Sequence, residues 1–233
     1  NSLIKSHYYL KQGILSGSGC YNVAQSPPIY DFGGKPYASS ADDSALDFFR
    51  NAGEGTKVLG TDCSGFVFSS LAVQGMRLIP NKKLKALQVE GVNAAMMMNP
   101  QSNGLTCLAA TTMAAQNPLQ SGDILASSGH VVMIDVTSGD PFGLSRAKSV
   151  SDCTTAKLGS SGFNFEILQS SPIKGGIGLD RIRAADYLTG GSSMQVAMES
   201  YAVSACKVRF GRAADAIPST AHLVRHKGTT ECM

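Results

Sequence analysis

Thr61-Asp62-Cys63-Ser64-Gly65-Phe66-Val67-Phe68-Ser69-Ser70-Leu71-Ala72-Val73-Gln74-Gly75 is the stretch on which the reading of this chain turns. It predicts a helix from Cys63 to Gly75. Thr61 or Asp62 stands where an N-cap belongs, because a short oxygen-bearing side chain can accept from the free N–H groups of the first turn. Phe66, Val67, Ser70, Leu71 and Gln74 recur at helical spacing, and Gly75 supplies the stop. A cysteine at the first helical position meets unpaired N–H groups and the positive end of the helix dipole, both of which favour a thiolate. Cys63 is therefore the candidate nucleophile. Ser64 and Gly65 beside it leave room for a substrate backbone.

Downstream, Asp123-Ile124-Leu125-Ala126, Ser127-Ser128-Gly129 and His130–Val136 read as strand, tight turn and strand. This puts His130 at a strand mouth among small residues, where an imidazole can serve as a base. Phe163–Ser170 is a further strand. His7, His222 and His226 lack such a setting, and the last two are expected on the surface of a tail strand. No HExxH, CxxC or clustered His/Cys spacing is present, so neither a metal nor another cofactor is expected.

The remaining segments are less regular. Residues 1–19 read as a short helical or irregular lead-in, and 20–40 as loop with brief extended pieces. Ala45–Ala52 reads as a helical turn or two, and Lys82–Val89 as helix. The methionines at 96–98 read as gap-filling core. Residues 137–162 read as a long loop around Cys153, Lys174–Gly178 as a turn and Ala184–Thr189 as a short helix. Ala202–Phe210 and Ala221–His226 read as two tail strands. Helices first and strands later point to an α+β class.

The 233 residues and 43% hydrophobic content suffice for one packed domain with additions. The formal charge of +3 comes without a basic stripe, so nucleic acid is an unsuitable partner. No apolar run is long enough to span a membrane. Six cysteines point to an oxidising compartment. With Cys63 set aside, Cys20, Cys107, Cys153, Cys206 and Cys232 can form at most two bridges, and the sequence does not choose the pairs. The chain starts at Asn1 without a charged-then-apolar leader, so a signal peptide already removed is expected.

Three segments, in order, resemble the NlpC/P60 family of cysteine peptidases. Thr61–Val67 resembles the nucleophile motif. Leu119–Leu125 followed by Ser128–Ile134 resembles the Gly-Asp turn and His-Val strand. Gly34-Lys35-Pro36-Tyr37 resembles the Gly-x-Pro-Tyr segment that precedes the nucleophile. The resemblance covers roughly residues 30–190. It leaves 1–29 as an N-terminal extension and 191–233 as C-terminal strands completing the domain.

The resemblance implies a papain-like fold, with the nucleophile at the N-terminus of a helix packed on an antiparallel sheet. It implies catalysis by Cys63 and His130. The orienting polar residue falls on Gln169, with Glu166 and Asp135 as rivals. Tyr37, Asp62 and Ser64 fall on the substrate and oxyanion side, where the backbone N–H of Cys63 or Ser64 is a natural donor. The implied substrate is a peptidoglycan stem peptide, cut at the γ-D-glutamyl–diamino acid bond. This would be a secreted or periplasmic enzyme. Lys35, Arg181 and Arg183 are candidates to meet substrate carboxylates, and Ala38–Gly60 and 137–162 to shape the groove. The alternatives are an amidase, a transpeptidase or acyltransferase, or an antibacterial toxin on the same frame. Others are a wall-binding module without catalysis and a disulfide-stapled structural domain.

Overall fold

The computed structural model describes residues 2–3, 20–21, 30, 32–38, 46–51, 61–82, 91–112, 118–172 and 179–233. Its centre is a six-stranded antiparallel sheet. The strands are β5 (Leu108–Ala110), β6 (Ile124–Ser127), β7 (Val131–Thr137), β8 (Phe165–Ser170), β9 (Leu179–Arg183) and β10 (Ala221–His226). They lie in the order β5-β10-β6-β7-β8-β9. Register is fixed through the middle by Leu223 opposite Leu125, Leu125 opposite Val132, and Met133 opposite Leu168.

Strand side chains alternate between faces, and both faces are covered. Leu125, Val132, Ile134, Ile167 and Leu223 form one buried cluster with Met194, Ala197, Met198 and Tyr201. Ile124, Ala126, Val131 and Val224 form the other with Cys63, Val67, Phe68, Leu71 and Met97. The architecture is thus α+β, with helices on both sides of an antiparallel sheet.

Helix α1 spans Cys63–Val73. Asp62 caps its start by accepting from Gly65 N–H at 2.6 Å. Gly75 ends it at φ 75°. There Gly75 N–H donates to Ala72 O and Met76 N–H to Leu71 O, the paired bonds of a Schellman stop. The buried stripe is Val67, Phe68, Leu71 and Ala72, while Gln74 is exposed. The stripe is therefore rotated from the Phe66–Gln74 face that spacing suggested. Helix α2 (Ala94–Met98) is capped by Asn93 and buries Met97 completely, in keeping with a core role for the methionines.

Two assignments from sequence are corrected. Ala202–Phe210 is not a strand; it is the second half of helix α5 (Ser193–Arg209). Met194, Ala197, Met198, Tyr201, Ala202, Ala205 and Cys206 are the buried side, stepping by three and one as a helix demands. Val203 and Val208 favour a strand locally, but the long-range periodicity wins. Ala45–Ala52 is not helical either. Leu46–Asn51 is a strand, β4, paired antiparallel with β3 (Pro36–Ala38). Phe48 and Phe49 suit a strand, and the pairing with β3 decides between two weak local signals. Ser2–Leu3 and Cys20–Tyr21 are extended and pair as β1 and β2. The expected helix at 82–89 and turn at 174–178 fall almost wholly outside the described residues.

Ala221–His226 is a strand as expected, and it sits between β5 and β6. The 137–162 segment is more than loop: it holds short helical turns, including α3 (Thr155–Leu158). Its Phe142, Ala147 and Leu158 are buried in the α5 cluster, so much of it is core and not groove rim. Helix α4 (Ala184–Tyr187) follows β9.

Disulfides join Cys107 to Cys232 and Cys153 to Cys206, as suits a protein of an oxidising compartment. Among the described residues, no helix is long and apolar enough to cross a membrane.

Candidate active site

Cys63 carries a free, buried thiol at the first position of α1. The backbone N–H groups of Ser64 and Val131 near its sulfur favour the thiolate. Burial and the neighbouring Asp62 carboxylate act the other way and win. The thiol therefore titrates above its ordinary value of 9.0.

Val131 follows His130 and packs in the same buried cluster as Cys63, which brings the mouth of β7 to the start of α1. The turn that aims His130 is closed by Ser127, whose N–H and Oγ both donate to His130 O. His130 Nε2 lies 2.9 Å from Gln169 Oε1. An amide oxygen can only accept, so Nε2 carries the proton and Nδ1 is left basic. Burial lowers the affinity of this imidazole for a second proton, moving it below its ordinary 6.5; Gln169 and Asp62 oppose that only in part. The resting pair is thus neutral thiol and neutral imidazole.

Gln169 is 1% exposed. It stands opposite Asp180 in the β8–β9 ladder, so its backbone is fixed on a rigid element. The rivals for its role are occupied elsewhere. Arg181 pairs with Asp135 at 2.5 Å and with Glu166 at 3.7 Å.

The residues assigned to the oxyanion and substrate side have mixed fates. Ser64 Oγ donates to Asp62 at 2.9 Å. Asp62 is a buried cap held by Lys35 at 2.5 Å, and that places it under the nucleophile's turn. Tyr37 lies in β3, paired with Asp47; its side chain is outside the described residues.

None of the three basic residues considered for substrate carboxylates is disengaged. Lys35 is buried against Asp62 and Ser64, Arg181 holds Asp135, and Arg183 holds Asp186 at 2.8 Å. His222 and His226 are also not loose surface groups. Each is half-buried and lies 2.9 Å from a backbone carbonyl, Met98 O and Arg77 O respectively. They lie on an interior strand, which the sequence could not show.

Two neighbours of Cys63 were not legible. Lys35 is one, since a lone lysine in a Gly-rich segment normally reads as solvated. Tyr187 in α4 is the other. Burial, and to a lesser degree the charge of a Cys63 thiolate, push its phenol above the ordinary 10.0. Its hydroxyl contacts Met194 Sδ at 3.7 Å.

No family model, curated protein or solved structure matches the chain.

Proposed function

We propose that this chain is a cysteine peptidase of the NlpC/P60 type, acting outside the cytoplasm on peptidoglycan stem peptides. The observation that carries the reading is the 2.9 Å bond from His130 Nε2 to Gln169 Oε1, beside a free thiol that opens a helix. A cysteine, an imidazole with one assigned tautomer and a buried amide that assigns it are the parts acyl transfer needs.

The steps follow from that arrangement. Cys63 gives its proton to His130 Nδ1 as the sulfur bonds to the substrate carbonyl carbon. The carbonyl electrons move to oxygen, and a helix-start N–H is the nearest donor type to receive that charge. Collapse breaks the C–N bond, and the imidazolium returns its proton to the departing amine. Water, deprotonated by His130, then attacks the thioester; the acid leaves and the thiol is restored. Gln169 keeps its bond to Nε2 throughout. No step requires a metal or an organic cofactor.

The bond cut is proposed to be γ-D-glutamyl–diamino acid, on the resemblance of Thr61–Val67 and Ser128–Ile134 to the family's motifs. The test is digestion of purified peptidoglycan by the wild type and by Cys63→Ala, with mass spectrometry of what is released. Fragments ending at D-glutamate, absent with the variant, are expected. Release that persists in Cys63→Ala would sink the reading, and separation of muramic acid from peptide would reassign the bond to that of an amidase.

A further inference from the structure

A buried lysine beneath the nucleophile is unusual enough to need a physical account, because a charge taken out of water is costly unless it is paired. Lys35 is 3% exposed. Its Nζ donates to both carboxylate oxygens of Asp62 at 2.5 Å and to Ser64 Oγ at 2.7 Å. Asp62 and Ser64 are the residues on either side of Cys63.

The lysine is brought there by the backbone. Tyr30 bridges to Thr61, and Asp62 N–H donates to Gly34 O at 3.0 Å, so the 30–35 segment runs along the approach to α1. Gly65 makes that passage possible. A Cβ at this position would run into Thr61 Oγ1 and fall 2.7 Å from Gly34 O and 3.2 Å from Lys35 Cδ. The glycine of the Asp-Cys-Ser-Gly run is therefore required by Thr61 and by the lysine's own segment together.

We infer that Lys35 is a positioning residue for the Cys63 nucleophile: its ammonium pairs with the Asp62 cap, so that the carboxylate can organise the helix start while opposing a thiolate beside it less than it would alone. The inference rests on reading Cys63 as the nucleophile. A carboxylate is an excellent cap for α1, yet it places a negative charge next to a group that must become negative to react. The ammonium offsets part of that conflict while leaving both of Asp62's hydrogen-bonding jobs in place: accepting from Gly65 N–H and from Ser64 Oγ. Two other ionisable groups come from different elements: His130 at the mouth of β7, bonded to Gln169 and under the Asp62 charge, and Tyr187 of α4, which feels the charge at Cys63. Asp62 and Lys35 are the pair whose charges oppose each other at the sulfur.

The test is the pH dependence of iodoacetamide alkylation at Cys63, read by peptide mass on the full chain with disulfides intact. Lys35→Met should move the midpoint upward by about one to three pH units, and Asp62→Asn downward by a similar amount. The double variant should return near the wild type. Asp62→Asn keeps a good cap and the lysine, so its downward shift tests the inference even where Lys35→Met does not fold. Shifts in the same direction in both single variants, or no shift in Asp62→Asn, would overturn it. Alkylation needs no substrate. A chain that shows the opposed shifts but cuts no peptidoglycan would therefore lose the peptidase reading and keep this one.

Discussion

Gln169 Oε1 and His130 Nε2 lie 2.9 Å apart, joining β8 to the mouth of β7 through a side chain that is 1% exposed. A buried amide here does one thing a carboxylate would not. It fixes the tautomer without adding a charge that would hold His130 protonated.

Gln169→Ala should therefore lower kcat by about 10²-fold, the lower end of what positioned acid–base catalysis supplies, with KM little changed. Gln169→Glu should keep the bond but raise the pKa of His130, moving the acid limb of kcat/KM to higher pH. Full activity in Gln169→Ala would show that the tautomer is set by something else.

The pH profile follows from the two shifts already described. His130 loses its second proton below its ordinary 6.5, so the base is ready throughout the neutral range and the acid limb should fall below pH 6.5. Cys63 titrates above 9.0, so alkylation by iodoacetamide should still be rising past that pH. Alkylation already at its plateau at pH 6 would mean that a thiolate–imidazolium pair exists at rest. Stability carries the same signature. Between the folded and unfolded values of His130 the unfolded chain binds more protons, so stability falls as pH drops through 6.5. For Cys63 the folded chain binds more protons, so stability falls as pH rises past 9.0. Thermal melts across pH should show Cys63→Ala losing the fall that sets in past pH 9.0, while the acid fall and the fall above pH 10 from the buried Tyr187 phenol remain.

How much of this was legible in the sequence depends on the range of the signal. Cys63 at a capped helix start, and His130 after a Ser-Ser-Gly turn, are local patterns, and α1, β6, β7 and β8 stand where they point. What failed was non-local. Val203 and Val208 gave a strand signal that only the full stripe from Met194 to Cys206 overrules. Lys35 and Asp62 are 27 residues apart, and nothing in either neighbourhood announces the other. Disulfide partners were likewise open until the β5–β10 pairing brought Leu108 opposite His226, next to the Cys107–Cys232 bridge.

Asp123 shows how a motif residue can be structural. Its side chain is 1% exposed, and Arg225 of β10 grips both oxygens at 2.5 and 2.7 Å. Asp123 also accepts from Gln120 N–H, closing a turn in which Gly122 sits at φ 89°. Arg225→Met should destabilise the fold by about 3–5 kcal/mol, because it strands a buried carboxylate. Adding Asp123→Asn should recover much of that in denaturant unfolding. Equal losses in the single and double variants would mean that Arg225 contributes through packing and not charge.

The two disulfides brace different parts of the fold. Cys107–Cys232 holds the chain end against the loop after α1, where Arg77 N–H donates to Cys232 O and Asn81 N–H to Glu231 O. Cys153–Cys206 ties the 137–162 segment to α5. Removing either pair as a double serine variant should lower stability by about 2–5 kcal/mol. Their sequence separations are 125 and 53 residues, a little more than a doubling, so loop closure alone favours the first by only about 0.6–0.8 kcal/mol. Local consequences should differ more than global ones. Without Cys107–Cys232, hydrogen exchange should quicken at the amides of Arg77 and Asn81, next to the C-terminal end of α1, while β8 stays protected. Quickening confined to α5 instead would show that the chain end is held by packing, and that the bridge only records its position.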